Sequence, residues 1–213
     1  MVRKRFGNLE PERREALLEA AGLEFAERGY AGASLNRIAE AAGLSKGSLY
    51  YYFEDKEDLF IRTVEVALER LLEGVGGFDP AALEADTYWE ALRQLSLRSL
   101  ELLDRDDWYV QLAQAFPRLR AEPEARNAVR PALEWARDFL ERLLRRGQQL
   151  AKVRRDLPLD MLVEVTLAFD EAGDRWLMEH RQEFDEAGLR AHGEARIDMM
   201  RDMLDARHEG WDR

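Results

Sequence analysis

Ser34-Leu35-Asn36-Arg37-Ile38-Ala39-Glu40-Ala41-Ala42-Gly43-Leu44-Ser45-Lys46-Gly47-Ser48-Leu49-Tyr50-Tyr51-Tyr52-Phe53 holds two short helical patterns on either side of a tight turn. Ser34 stands where a helix N-cap is favoured, and Leu35, Ile38 and Ala39 follow on one face until Gly43, the residue for which a left-handed backbone is easiest. Two residues later Ser45 opens a further helix that carries Leu49, Tyr50 and Phe53. The turn is Ala42-Gly43-Leu44-Ser45, and Ile38, Ala39, Leu44 and Leu49 are spaced to pack the two helices across each other. This is the spacing of a helix-turn-helix, whose second helix enters the major groove with its N-terminal residues against the base edges. Many αα-corners also have glycine in the turn and bind nothing, so spacing alone leaves both readings open.

The punctuation extends outward in both directions. Asn8 is expected to cap a first helix with Pro11 in its first turn, and Leu18, Ala21 and Phe25 repeat on one face until Gly29 stops it. Asp55 caps a fourth helix, with Leu59, Val66 and Leu71 leading to Gly74, Gly76 and Gly77. Asp79-Pro80 restarts the pattern as far as Leu103, and a helix around Arg105–Ala115 is expected to stop at Pro117. Glu122-Pro123 opens another, kinked or restarted at Pro131, with Leu133, Ala136, Leu140, Leu143, Leu144 and Leu150 as its core stripe. Pro158 precedes a helix to about Gln182, and the last spans roughly Glu186–His208. The chain is therefore expected to be all-α, in two unequal parts: residues 1–56 with a connecting helix over about 56–73, and residues 74–213.

Composition agrees. Leucine occurs 32 times while Val, Ile and Thr together occur 15 times, a helix-forming balance with little strand material. At 213 residues, 46% hydrophobic and 35% charged, the chain is too apolar for disorder and too polar for a membrane protein. Its longest uncharged stretch, Trp108 to Pro117, is far short of the roughly 20 residues of a bilayer span, and Met1–Gly7 lacks the apolar core of a signal peptide. The absence of cysteine excludes disulfides, zinc thiolate sites, iron–sulfur clusters and thiol nucleophiles, and a cytoplasmic location is expected. The net charge of −11 is unevenly spread, since residues 1–53 carry +1 and residues 54–213 carry −12. An acidic body repels a phosphate backbone, so any nucleic-acid contact is confined to the first quarter of the chain.

From Gly29-Tyr30 through Ser34 to Leu59, and over roughly residues 14–60, the sequence closely resembles the DNA-binding domain of TetR-family transcriptional regulators. The resemblance implies a homodimer that places two recognition helices in successive major grooves of a palindromic operator, with a ligand-binding and dimerisation domain over 74–213. It implies DNA contacts from Ser45, Lys46, Gly47 and Ser48 in the first turn of the recognition helix, with Lys46 facing a guanine edge and Ser48 and Tyr50 as further base contacts. Tyr51 or Tyr52 and Lys56 take the place of the family's phosphate clamps, and Ser34 of a phosphate donor. Asn36 and Arg37, exposed on the second helix, add contacts, although Arg37 serves equally well as a solvated charge. Three consecutive tyrosines cannot all face one way, so at least one is structural, and the resemblance makes Tyr50 partly so. Arg3, Lys4 and Arg5 form either an arm along the DNA or a frayed basic end.

Beyond residue 60 no motif guides the reading. Aromatic and polar residues at helical spacing suggest a small-molecule site from Trp89, Leu92 and Ser96, from Trp108, Tyr109, Leu112 and Phe116, from Trp135 and Phe139, and from Thr166, Phe169 and Asp170. Core packing explains most of them equally well. The aromatic content favours a hydrophobic effector, and Asp107 and Asp170, if they point inward, favour a cation. The last two helices carry Leu162, Val165, Phe169, Trp176 and Leu177, then Leu189, Ile197, Met200, Met203 and Leu204, more apolar surface than a terminal pair usually hides. His180, His192 and His208 lack the spacing of a helix-borne metal pair, and no nucleophile elbow or phosphate-binding glycine loop is present, so neither enzyme activity nor a cofactor is expected. The expectation is a ligand-released repressor. The rivals are a helical small-molecule-binding protein without DNA-binding activity and a regulator controlled by a protein partner.

Overall fold

The computed structural model describes residues 6–206, except for the side chain of Asn8; Arg3, Lys4, Arg5 and His208 lie outside the described residues. Among the described residues there are nine α-helices: α1 (Pro11–Gly32), α2 (Leu35–Ala41), α3 (Lys46–Tyr52), α4 (Lys56–Gly74), α5 (Tyr88–Leu102), α6 (Trp108–Ala121), α7 (Arg126–Gln149), α8 (Leu159–His180) and α9 (Glu186–Leu204). An isolated bridge between Val153 and Asp205 is the sole strand-like pairing among them. The fold is all-α, and none of these helices is long and apolar enough to cross a membrane.

Several boundaries depart from the sequence pattern. Asn8 ends a 3-10 turn, and Glu10 precedes α1, whose start is set by the fixed φ of Pro11. Only a 3-10 turn follows Asp79, and α5 begins at Tyr88. Pro117 lies inside α6 and does not stop it. One ladder hydrogen bond is lost there, but the extra turn carries Leu119 into full burial, worth about 1.5–3 kcal/mol.

The chain divides into two compact units. The first comprises Met1–Glu73 with Arg105–Leu133. Its core gathers Leu17, Leu18, Ala21 and Phe25 of α1, Ile38 of α2, Leu49 of α3, Leu59 and Phe60 of α4, and Leu112 and Leu119 of α6. The Phe25 and Phe60 rings meet edge to face at 4.8 Å, with Tyr30 5.3 Å from Phe60. Helix α6 lies along α1 because Gly22 makes room: a Cβ there would overlap the Trp108 ring. The Trp108 indole donates to Glu15 at 3.1 Å, and Arg70 of α4 pairs with the same carboxylate, holding it below the ordinary glutamate range.

The second unit comprises Gly74–Asp104 with Glu134–Arg213. Its core is built on Tyr88 and Leu92 of α5, Leu140, Leu143 and Leu144 of α7, Leu162 and Val163 of α8, and Ile197 and Leu204 of α9. Tyr88 is fully buried and donates to the Leu143 carbonyl at 3.2 Å. Gly193 of α9 lies against Leu97 and Leu100 of α5, where an added Cβ would overlap the end of the Leu100 side chain.

Candidate nucleic-acid interface

The turn between α2 and α3 has the expected geometry. Gly43 adopts φ +64°, and the Leu44 amide returns to the Ala39 carbonyl at 2.8 Å. Ser45 caps α3 by accepting from the Ser48 amide at 3.1 Å, and the two hydroxyls lie 2.8 Å apart. Leu49 and Phe53 sink into the core, at 1% exposure each, and so fix which face of α3 remains outside. That face presents Ser45, Lys46 and Gly47 at the helix start and Tyr50 and Tyr51 further along, while Ser48 is half-buried. Lys46 makes no ion pair with a described residue.

Gly47 has no internal explanation. Its φ is not left-handed, and an added Cβ would meet nothing nearer than the Ser45 hydroxyl at 3.9 Å. Glycine weakens a helix, so a bare backbone at this exposed position suits close approach by something outside the chain. The structure also sorts the tyrosines. Tyr50 and Tyr51 are 42% and 49% exposed, whereas Tyr52 packs against the core with its ring edge-on to Tyr51. Of the three, Tyr52 is the one packed against this core cluster.

Other expected contacts are committed within the chain. Lys56 sits behind its cap residue Asp55 and sends its ammonium to the carbonyls of Tyr30, Ala31 and Ala33 at 2.7, 3.2 and 3.3 Å, 4.8 Å above the Tyr30 ring. All three ammonium protons are occupied, so a phosphate contact requires one of these bonds to exchange. Arg37 binds Glu24 through Nε at 2.8 Å and also donates to the Gly32 carbonyl. Burial works against the Glu24 carboxylate, but Arg37 and the Ser34 amide outweigh it and keep the carboxyl below its usual range. Ser34 stands at the N-cap position of α2 without a side-chain capping bond, and Asn36 is exposed.

Sequence reasoning missed Glu122. It follows α6, and its two carboxylate oxygens accept the Tyr30 and Ala31 amides at 3.1 and 2.8 Å. Contacts between residues more than 90 positions apart leave no local signal. Glu122-Pro123 reads only as a helix start.

The residues expected around a small molecule are distributed over both units. Trp108, Tyr109, Leu112 and Phe116 belong to the first unit's hydrophobic cluster. In the second unit, Trp135 and Phe139 stack at 5.4 Å with Phe78 5.9 Å from Phe139, and Thr166 is buried and donates to the Leu162 carbonyl. Leu92 is buried, and Trp89, Ser96 and Phe169 are half-buried. Asp107 accepts from the Tyr109 hydroxyl at 2.9 Å and pairs with Arg105, so it does not stand alone awaiting a cation. Asp170 faces Arg196 at 3.3 Å and its carboxyl is pushed up to about 6 by loss of hydration, although 41% of its side-chain surface still meets solvent. Two cavities in this unit hold about 210 and 230 Å³; of the twelve residues, Trp89 alone lines either. His180 and His192 stack on Trp176 at 4.4 and 5.4 Å.

Residues 17–63 match the model of the bacterial regulatory proteins of the tetR family. Over 150 residues the chain is 31% identical to the HTH-type transcriptional repressor AcnR of Corynebacterium diphtheriae, a match covering 70% of this chain and 73% of that one. It is 31% identical over 151 residues to the HTH-type transcriptional repressor Rv1474c of Mycobacterium tuberculosis, covering 70% and 74%. Among solved structures, the triclosan complex of SmeT, a Stenotrophomonas maltophilia repressor, superposes with a TM-score of 0.69 at 22% identity over 92% of each chain. The fatty acid degradation regulator FadR of Bacillus halodurans gives 0.67 at 20% identity over 93% and 98%.

Proposed function

The chain belongs to the TetR family of bacterial transcriptional regulators, and from that premise we propose that it is a repressor that grips a palindromic operator as a homodimer and is released by a hydrophobic small molecule. The observation that carries the reading is the outward face of α3: Ser45, Lys46 and Gly47 stand exposed at the helix start while Leu49 and Phe53 anchor its back. Short side chains and a glycine let the backbone approach the base edges, and Lys46 takes a guanine edge. DNA binding is assigned to residues 1–56, and dimerisation and effector binding to the helices beyond residue 74.

Dimerisation is supported by the surface of α8. Met161, Val165, Ala168, Ala172 and Trp176 recur every three or four residues and are all exposed, an apolar stripe suited to a second copy. The effector reading is supported by the Trp135–Phe139 stack, by the half-buried Phe169 and the buried Thr166 of α8, and by the triclosan carried by SmeT. Release requires the effector to prefer the DNA-incompetent conformation, and a coupling of about 1–3 kcal/mol gives roughly 5–150-fold derepression.

Selection of bound duplexes from a random pool tests the regulator, and titration of the winner with lipophilic acids, neutral aromatics and lipophilic cations tests the effector. A palindromic consensus bound with a steep salt dependence is expected. Enrichment of no sequence would sink the regulator. An operator complex indifferent to every class, with no change in tryptophan fluorescence, would leave a partner protein as the controlling input.

A further inference from the structure

Gly29 breaks α1 with φ +74° and ψ 173°, a backbone region open essentially to glycine alone. The turn that follows, Tyr30 to Gly32, therefore begins with free amides and ends with free carbonyls. Both ends are held by charge. Glu122 accepts the Tyr30 and Ala31 amides, and Lys56 donates to the Tyr30, Ala31 and Ala33 carbonyls. A Cβ at residue 29 would overlap the Glu122 carboxylate, so the break and its anion fit each other. Ala33 then leads into Ser34, whose amide is fixed by Glu24, and Ser34 opens α2. The path of the chain into the helix-turn-helix is thus set from outside it, by a carboxylate at the end of α6. Arg118, one turn earlier, fastens α6 to the Ala26 carbonyl.

We propose that Glu122 is a positioning residue for operator binding: through the Gly29–Ala33 turn it sets the orientation of α2 and α3, and so gives α6 a hold on the reading helix. This rests on the reading of α3 as a DNA-recognition helix. Carboxylate recognition of two amides needs two acceptor oxygens, so Glu122→Gln retains one of the bonds and Glu122→Ala none.

The test uses the full chain, with amide hydrogen exchange measured without DNA and with binding measured to the selected duplex and to a scrambled one. In Glu122→Ala, exchange is expected to quicken across residues 30–52 and not only at Tyr30 and Ala31. Preference for the selected duplex should fall at least about tenfold, with Glu122→Gln between it and wild type. Loss of a carboxylate would by charge alone tighten binding to every DNA, so a fall restricted to the selected duplex has the sign that only positioning gives. Quickened exchange confined to residues 30–33, or unchanged preference between duplexes, would overturn the proposal. Should Glu122→Ala not fold, Glu122→Gln carries the same comparison. If wild type selects no sequence at all while exchange over 35–52 quickens as expected, the operator reading is what fails, and the role of Glu122 in DNA binding falls with it.

Discussion

Lys46 and Lys56 open successive helices, and their surroundings assign them opposite duties. Lys46 stands exposed at the start of α3, whereas Lys56 spends its three protons on main-chain carbonyls at the end of α1. Lys46→Ala is expected to leave unfolding unchanged and to relax one operator position by about 1–3 kcal/mol. Lys56→Ala should instead lower stability by about 1–3 kcal/mol, because charge-assisted bonds are lost, without relaxing any single operator position. Denaturant unfolding alongside binding curves on operator variants separates the two. A salt slope reduced by about one for Lys56→Ala, at wild-type stability, would return that residue to the phosphate backbone.

Helices that announce themselves locally were legible, and those defined by distant partners were not. Ser45, Asp55 and Gly43 act within a few residues of themselves, so the turn and the starts of α3 and α4 could be read directly. Pro117 is a local stop signal overruled by the burial of Leu119, and the fit of α6 to α1 through Gly22 has no signature in either helix alone. Gly22→Ala is expected to cost about 1–3 kcal/mol by forcing the Trp108 ring aside. The cost should largely vanish in a Trp108→Leu background, and an unfolding double-mutant cycle with no coupling would show that the crossing is looser than described. At the α8–α9 contact, the raised Asp170 carboxyl makes the folded state hold a proton that the unfolded chain gives up. Stability from this group is fully present below the ordinary aspartate range and is lost as pH rises toward about 6. Asp170→Asn should therefore gain on wild type progressively between pH 4 and 6 in thermal unfolding scans, and parallel curves would contradict it.

For the whole molecule, apolar residues on α8 and α9 were readable as surplus, but which of them turn inward was not. Leu162, Leu177, Leu189, Ile197 and Leu204 are buried within the chain, while Met161, Val165, Trp176 and Met199 are 39–60% exposed. A helix face cannot be assigned from periodicity when two adjacent stripes are both apolar. Val165→Glu places a charge in the middle of the outward stripe. It is expected to sediment as the 24.7 kDa monomer at micromolar concentration and to lose most operator affinity, since one protomer spans only one half-site. A wild type that sediments as a monomer would remove the two-fold arrangement.

Gly47 gives the fold nothing, as the space around its missing side chain shows. Alanine there should strengthen α3, by up to about 1 kcal/mol, and thin the contact with the groove floor. A screen for heat-resistant variants would therefore enrich Gly47→Ala and hand back a sturdier protein that no longer silences its target, a trade that paired melting and gel-shift measurements on this one variant would expose.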